Sequence, residues 1–526
     1  MSADTETISP NVGRLKGRKA WAQNLNLAAI SAAKVESSLG PKGAYKMVTY
    51  TRGPERVIKV TKDAVEVLGE LEIQYPAVKT LAESARIHRQ DVGDGVTTFV
   101  IIISSLLRGA DDLMKKKTHP NVILSGYLSA AKEASRVFNQ AVLPEVVDDD
   151  EVLDMADCGR GILTPGIRAD LKRAALRAES QGGIDLKRIR VVTKYGASTA
   201  DSKLVKGVLV RKDRVDQGMA TELSDVKVAV LNTVMDVKPL ELLMKGKGAF
   251  KLKWDITENG QISKFKREES RLNANLVAPL AKVGANLVIC RGKIAPLVAE
   301  EMSRLGMMAF SSVDVADVDA VAEATGATSI GDVPNIEPKD LGRADRVTME
   351  KIEGIDYAVI EAAKGSTLLL RGSSVAETQD LERVVKNCIR LMAGIRKDAK
   401  AAWGGGATYM RAATRLREYA LEFPGKEQMA ILAFADALEE VPSALIGNFG
   451  LSFSKVLPEL RSYHARGMNS MGISYGGCVD MKGKDGVRDL VLNNKVLLSR
   501  AYEVAKLLLR VDEYIYVKEL AMVHKQ

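Results

Sequence analysis

The sequence predicts an α/β multidomain fold in which two mostly helical chain ends bracket an inserted α/β segment. Three observations carry this. At 526 residues the chain is too long for one compact domain, and two to four are expected. Apolar residues recur at three- and four-residue spacing from about Trp21 to Val142 and again after Gly404. Between them, short β-branched runs alternate with helical stretches, the pattern of a separate α/β unit.

Taken in order, the first helical stretch breaks at the glycines of 40–43 and 93–95, and Val57–Val60 reads as a strand. In the middle, strands are predicted at Val226–Leu231, Asn286–Cys290, Tyr357–Ile360 and Thr367–Leu370. The polar, charged stretch Lys245–Ser270 reads as a surface insertion, followed by a helical run to Lys282. The stripe Leu381, Val384, Val385, Cys388, Leu391, Met392 and Ile395 predicts a helix with Asn387 at the edge of its apolar face. Beyond Gly404, helices are predicted at Lys426–Glu440, Leu457–Arg466 and Val496–Tyr514.

Composition narrows the function classes. Hydrophobic residues at 46% and charged residues at 27% are ordinary for a globular chain, while aromatics at 5% argue against a base-stacking surface. The net charge of +9 is dispersed, with short clusters at Lys115–Lys117 and between Lys245 and Lys253, so no nucleic-acid partner is expected. Cys158, Cys290, Cys388 and Cys478 are widely spaced, which argues against a zinc site or a disulfide framework. Met1–Asn11 lacks a signal-peptide pattern, and the apolar run Phe99–Ile103 is far short of the roughly 20 residues a membrane helix needs. No membrane partner and a cytoplasmic location are expected.

The chemistry lies in four separated segments: Leu39-Gly40-Pro41-Lys42-Gly43, Thr61-Lys62-Asp63, Gly93-Asp94-Gly95-Val96-Thr97-Thr98 and Gly404-Gly405-Gly406-Ala407. A phosphate chain needs close backbone approach and unencumbered N–H groups, which glycine supplies, with hydroxyls and a carboxylate to hold Mg²⁺. Each segment alone reads as a turn or a helix stop. Together they read as one pocket, which requires the two chain ends to fold around the insertion.

In that order and spacing these segments resemble the group II chaperonins, the thermosome and CCT family. The likeness extends through Ile73-Gln74-Tyr75-Pro76-Ala77, His119-Pro120, Pro424–Gln428, Phe434–Leu438 and Leu509–Glu513. The resemblance implies an equatorial ATP-binding domain from residues 1–142 and 399–526, and an intermediate hinge domain from 143–204 and 364–398. It implies an apical substrate-binding domain over 205–363, with a helical lid protrusion at about 245–275 whose tip, Trp254 to Ile262, is expected to be mobile. It assigns Asp94 to Mg²⁺, and Leu39, Gly40, Pro41, Gly95, Val96, Thr97, Thr98, Gly404, Gly405, Gly406 and Asp480 to the nucleotide. Asp63 would stand near the terminal phosphate and position it or the attacking water. Clients would meet the apical domain around Ile294–Met302.

The departures from the family pattern are informative. Seventeen residues before Gly404 the family has an aspartate that serves as general base, and this chain has Asn387. An amide cannot take a proton at neutral pH, so a contribution of roughly 10²–10⁴-fold is expected to be lost. On a helix Asp398 would lie about 16 Å further along and Glu382 about 140° around the axis, so neither substitutes. Val96 stands where the family has threonine, Ala64 where it has glycine, and Leu163 where it has a lysine that senses the terminal phosphate.

The expected protein is therefore an ATP- and Mg²⁺-binding subunit of a homo- or hetero-oligomeric double ring that assists unfolded clients and hydrolyses ATP weakly or not at all. Two alternatives compete. One is a fully cycling homo-oligomer in which Asp63 compensates for Asn387, and the other is a structural ring protein without nucleotide cycling. A small-molecule kinase is disfavoured because no acceptor-site constellation appears.

Overall fold

The computed structural model describes residues 12–16, 26, 29–52, 55–70, 76–143, 147–157, 161–236, 271, 274–483, 486–511 and 513–517. Ile73–Tyr75, Cys158, the Lys245–Lys253 cluster and most of the expected lid protrusion, including Trp254–Ile262, lie outside them. The chain forms two compact units, one of residues 1–162 with 383–526 and one of residues 163–382.

The first unit is largely helical. Its core is built from Phe99, Ile102, Ile103 and Leu106 on helix Val96–Lys115, Tyr127 and Phe138 on helix Pro120–Gln140, Phe434 and Leu438 on helix Lys426–Asn448, and Leu497 on helix Val491–Arg510. Each such side chain, fully buried, contributes about 1.5–3 kcal/mol. Residues far apart in sequence share this core, so the chain ends fold as one body. Tyr127 keeps its hydroxyl satisfied by donating to the Leu106 carbonyl at 2.8 Å while its ring meets Phe434 edge-on. The His119-Pro120 pair is a helix start: the His119 side chain accepts from the Asn121 N–H, and Pro120 sits where no intrahelical donor is needed.

Four expectations for this unit change. The strand read at Val57–Val60 spans Glu55–Thr61 and pairs antiparallel with Lys46–Arg52, a strand inside a stretch read as helical. The helix read as Val496–Tyr514 spans Val491–Arg510, and Tyr514 belongs to strand Glu513–Val517, which pairs with Val12–Lys16. The two segments find a strand partner only because the chain ends meet. Helix Lys426–Asn448 runs past Glu440 and through Pro442, because Ala444, Leu445 and Ile446 continue the buried face. Helix Phe453–Ala465 starts four residues ahead of Leu457 and contains Pro458.

The second unit is α/β, as its sequence pattern predicts. Its main sheet orders Met308–Phe310, Leu287–Cys290, Glu222–Leu231, Gly342–Ile352, Ile355–Glu361 and Val208–Val210, with Ser329–Ile330 also on Glu222–Leu231. The first three strands are parallel and Gly342–Ile352 is antiparallel to its neighbours. Both faces are covered: Val228, Val230, Leu287 and Ile289 enter one core, and Ala229, Leu231, Val288 and Cys290 the other. Two buried faces explain why these strands read as continuous apolar runs. Thr367–Leu370 lies instead in Ser366–Gly372, the centre of a separate three-stranded sheet with Ile189–Tyr195 and Lys203–Lys206. The helical run before Lys282 occupies 274–283.

Candidate nucleotide site

Within the first unit, the first three segments are linked through Lys62 and through the pairing of Asp63 with Arg89, and the fourth lies against the same helix, Lys426–Asn448, that closes on the first. After the helical residues 29–36, Gly40 adopts φ +79° and Gly43 N–H closes a turn onto Gly40 O at 3.1 Å. A side chain is excluded at Gly40, because a Cβ there would stand 2.8 Å from Leu445 Cδ2. Lys62 Nζ donates to Gly40 O at 2.8 Å and Pro41 O at 3.2 Å, fastening this turn to the next segment. Asn448 Nδ2 donates to Leu39 O at 2.9 Å and fastens it to the far end of the chain.

Asp63 precedes helix Ala64–Glu70 and caps it, its Oδ1 accepting the Val65 N–H at 2.7 Å. Its Oδ2 pairs with Arg89 Nη1 at 2.6 Å. Arg89 lies in the last turn of helix Pro76–Val92, and its carbonyl accepts the Gly93 N–H at 3.0 Å. Gly93 and Gly95 both have positive φ, 86° and 76°, which leaves Asp94 exposed at the tip of the turn that opens helix Val96–Lys115. A Cβ on Gly93 would meet Arg390 Cβ at 2.7 Å. Thr97 and Thr98 are in the first turn of that helix, where N–H groups are unpaired by the helix itself and the dipole favours an anion. Val96 packs its side chain on the helical core, which accounts for an apolar residue at this position.

From the C-terminal half, Gly404 N–H donates to Val487 O at 2.7 Å, and Gly405 O accepts the Ile473 N–H at 2.8 Å. Gly405 and Gly406 have φ of 61° and 79°, and a Cβ on Gly406 would stand 2.9 Å from Pro442 Cβ. Strand Ala401–Trp403, just before the glycines, pairs with Arg488–Leu490, so Asp489 lies beside this loop. Burial and the charge of Asp94 push the Asp489 carboxyl up to about 6. The Tyr409 hydroxyl, donating to Asn494 Oδ1 at 2.8 Å, is raised by burial and by both acids.

Beneath the 93–95 turn lies His88, fully buried and stacked on Phe99 at 4.8 Å. Burial, with the Arg500 guanidinium next in weight, lowers its pKa to about 4, so it is neutral at pH 7.

Asn387 lies on helix Val375–Lys397, three residues before Arg390, and its Oδ1 is buried with no hydrogen-bond partner among the described residues. Asp398 pairs with Lys400 at 3.7 Å. Asp480 is exposed on strand Gly477–Asp480, and its carboxylate takes Ser470 and the Lys482 N–H, at 3.1 Å for the latter. The acid whose field couples to Asp94 is Asp489, which the sequence reading passed over. Arg89 was passed over too: an arginine four residues ahead of a glycine turn looks like any solvated helix residue until Asp63 is seen beside it. Leu163 is buried in the second unit. Around Ile294–Met302 the apolar residues Ile294, Val298, Ala299 and Met302 face inward, and Leu297 is the exposed large apolar residue.

Glycine turns at helix starts, a carboxylate at a turn tip and distant chain ends sharing one core are the features the resemblance to chaperonin subunits requires. The TCP-1/cpn60 chaperonin family matches residues 32–519, and the chain belongs to that family. It is 34% identical over 520 residues to thermosome subunit beta of Methanothermobacter thermautotrophicus, covering 97% of this chain and 94% of that one. Thermosome subunit beta of Thermoplasma acidophilum is 33% identical over 96% of this chain and 94% of its own length, and a Methanopyrus kandleri thermosome subunit is 32% identical over 97% and 94%. These relatives make it a group II chaperonin subunit, a chaperone of protein folding. Among the described residues no helix is long and apolar enough to cross a membrane.

Proposed function

We propose that this chain is an ATP- and Mg²⁺-binding subunit of a double-ring group II chaperonin for unfolded clients, and that it hydrolyses ATP weakly or not at all. The observation that carries the second part is Asn387: where the resemblance calls for a base, an amide presents a buried oxygen that cannot take a proton. Asp63 is a poor substitute. Its Oδ1 is committed to the Val65 N–H as the cap of helix Ala64–Glu70.

Mg²⁺ fits the residues present. Asp94 is exposed at a turn flanked by two glycines, and its charge already raises Asp489, so a cation there would be favoured. An ion held by one carboxylate together with phosphates is an ordinary arrangement for Mg²⁺. Bound there, Mg²⁺ would neutralise phosphate charge.

The chain's own residues supply the rest. Gly40, Pro41, Gly95, Gly404, Gly405 and Gly406, with Leu39 and Val96 beside them, would bring backbone close to the nucleotide, and Thr97 and Thr98 would give N–H and hydroxyl groups at the helix start. Asn387 would orient a water by hydrogen bonding without activating it. Asp480 and, beside strand Ala401–Trp403, Asp489 are the acids we place near the nucleotide. We assign residues 1–142 with 399–526 to an equatorial domain, 143–204 with 364–398 to an intermediate hinge and 205–363 to a client-binding apical domain, in rings of like subunits in the cytoplasm.

The test is the steady-state ATPase rate of the purified, assembled protein beside Asn387→Asp. A rate near background that the aspartate raises by about 10²-fold or more supports the reading. A wild-type rate already high and unchanged by the substitution refutes it, and failure of both to bind nucleotide points to a structural ring protein.

A further inference from the structure

Arg89 is one helical turn from the phosphate turn by its backbone and on the candidate terminal-phosphate carboxylate by its side chain. Gly93 N–H caps its carbonyl at 3.0 Å, and its Nη1 reaches Asp63 Oδ2 at 2.6 Å. The pair is largely withdrawn from water, with side-chain exposures of 25% for Arg89 and 7% for Asp63. A second guanidinium, Arg390, packs on Gly93, donates from Nε to Gln90 O at 3.1 Å and from Nη1 to Lys386 O at 3.4 Å. Burial and, next, the positive charge of Arg89 lower its pKa. The two arginines stand close enough to interact, with Asp63 on Arg89 and Asp91 acting on Arg390, so an anion added here takes the place of a carboxylate already present. A planar guanidinium takes a carboxylate or a phosphate by the same forked geometry, so one can replace the other at little geometric cost.

We propose that Arg89 is the terminal-phosphate ligand of this pocket, and that Asp63 and the terminal phosphate of a nucleoside triphosphate compete for its guanidinium. The inference rests on the nucleotide site proposed above. A triphosphate draws Arg89 from Asp63 and a diphosphate leaves it there, so the chain distinguishes the two nucleotides by an exchange of ion-pair partners that needs no hydrolysis. Asp63, released, loses the charge that tied it to helix Pro76–Val92 while keeping its Val65 cap on helix Ala64–Glu70. The exchange would thus be felt at the start of that helix.

The experiment measures equilibrium binding of Mg-ADP and of a non-hydrolysable Mg-ATP analogue to the assembled protein, for wild type, Arg89→Ala, Arg89→Lys and Asp63→Asn. Arg89→Ala is expected to weaken the triphosphate analogue by about tenfold or more, the scale of one charge-assisted hydrogen bond, with ADP changed by less than about twofold. Asp63→Asn, which frees Arg89 without removing it, is expected to strengthen the analogue relative to ADP. Arg89→Lys should fall between wild type and Arg89→Ala. If Arg89→Ala and Asp63→Asn leave the analogue-to-ADP ratio unchanged while both nucleotides bind, Arg89 only holds the helices together and the inference fails alone. If wild type binds neither nucleotide, the site itself is wrong and the inference falls with it. Sedimentation of each variant confirms assembly. Should Arg89→Ala fail to assemble, the ratio in Asp63→Asn decides.

Discussion

His88 offers the cleanest quantitative test of the packing beneath the phosphate turn. It is fully buried, stacked on Phe99, and a Cβ on Gly95 would lie 3.9 Å from its Nε2. Its pKa is lowered from 6.5 to about 4, chiefly by burial. The unfolded chain therefore binds a proton between those values and the folded chain does not, so stability is complete above about pH 6.5 and declines as pH falls toward 4. From the two values the loss between pH 7 and pH 5 is about 2 kcal/mol per chain. His464, also lowered by burial, adds a loss of the same sign, so the comparison must be differential. His88→Leu keeps an apolar side chain of similar volume without a proton site. Urea unfolding followed by far-ultraviolet circular dichroism at pH 7 and pH 5 should show wild type losing about 2 kcal/mol more than the variant. Equal losses in the two proteins would refute the assignment of a neutral, unsolvated imidazole at this position.

Two further outcomes follow from the same geometry. Because Asp489 is raised to about 6 by burial and by Asp94, its protonated form adds stability below its ordinary range, and that is lost as pH rises through 6. Neutralising Asp94 with Mg-nucleotide should remove the smaller, charge-based part of that shift and release a fraction of a proton, under about one half, near pH 6, read by calorimetry in two buffers of different ionisation enthalpy; no buffer dependence would separate Asp489 from the site. Gly406→Ala forces a side chain at φ +79° and 2.9 Å from Pro442 Cβ, and should cost more than about 1 kcal/mol in chemical denaturation, whereas Gly447→Ala, with nothing within 4 Å, should not.

The parts legible in the sequence are those whose cause is local. Val226–Leu231 and Leu287–Cys290 read as strands because both faces of their sheet are buried and each residue had to be apolar. The helix under Asn387 was legible from its stripe, and Leu381, Val384, Val385, Cys388 and Leu391 are buried as that stripe requires. What was illegible depends on a distant partner. Val12–Lys16 and Glu513–Val517 are strands only for each other, and Lys46–Arg52 is marked by no buried stripe, with Met47 exposed. The same holds at the site. Asp480 and Asp489 are equally acidic in sequence, and only the fold shows that Asp489, opposite Ala402, is the one whose carboxyl Asp94 pushes up.

The charges around the turn explain why a site with an amide in place of a base would still keep its other residues. Asp94 and Asp489 raise the free energy of one another's ionised forms, and Arg89 does the same to Arg390. Two acids favour a cation, and two arginines favour an anion, a part Asp63 plays for Arg89 without nucleotide, each by an amount that grows as water is excluded. On the proposals above, a magnesium-bound triphosphate would bring both in one molecule, with Asp94 available to the metal and Arg89 to the terminal phosphate. Binding energy from this source does not pass through Asn387 at all. Losing the base would then slow the exit from the triphosphate-bound form without weakening entry into it, and a subunit built this way would hold its nucleotide rather than spend it.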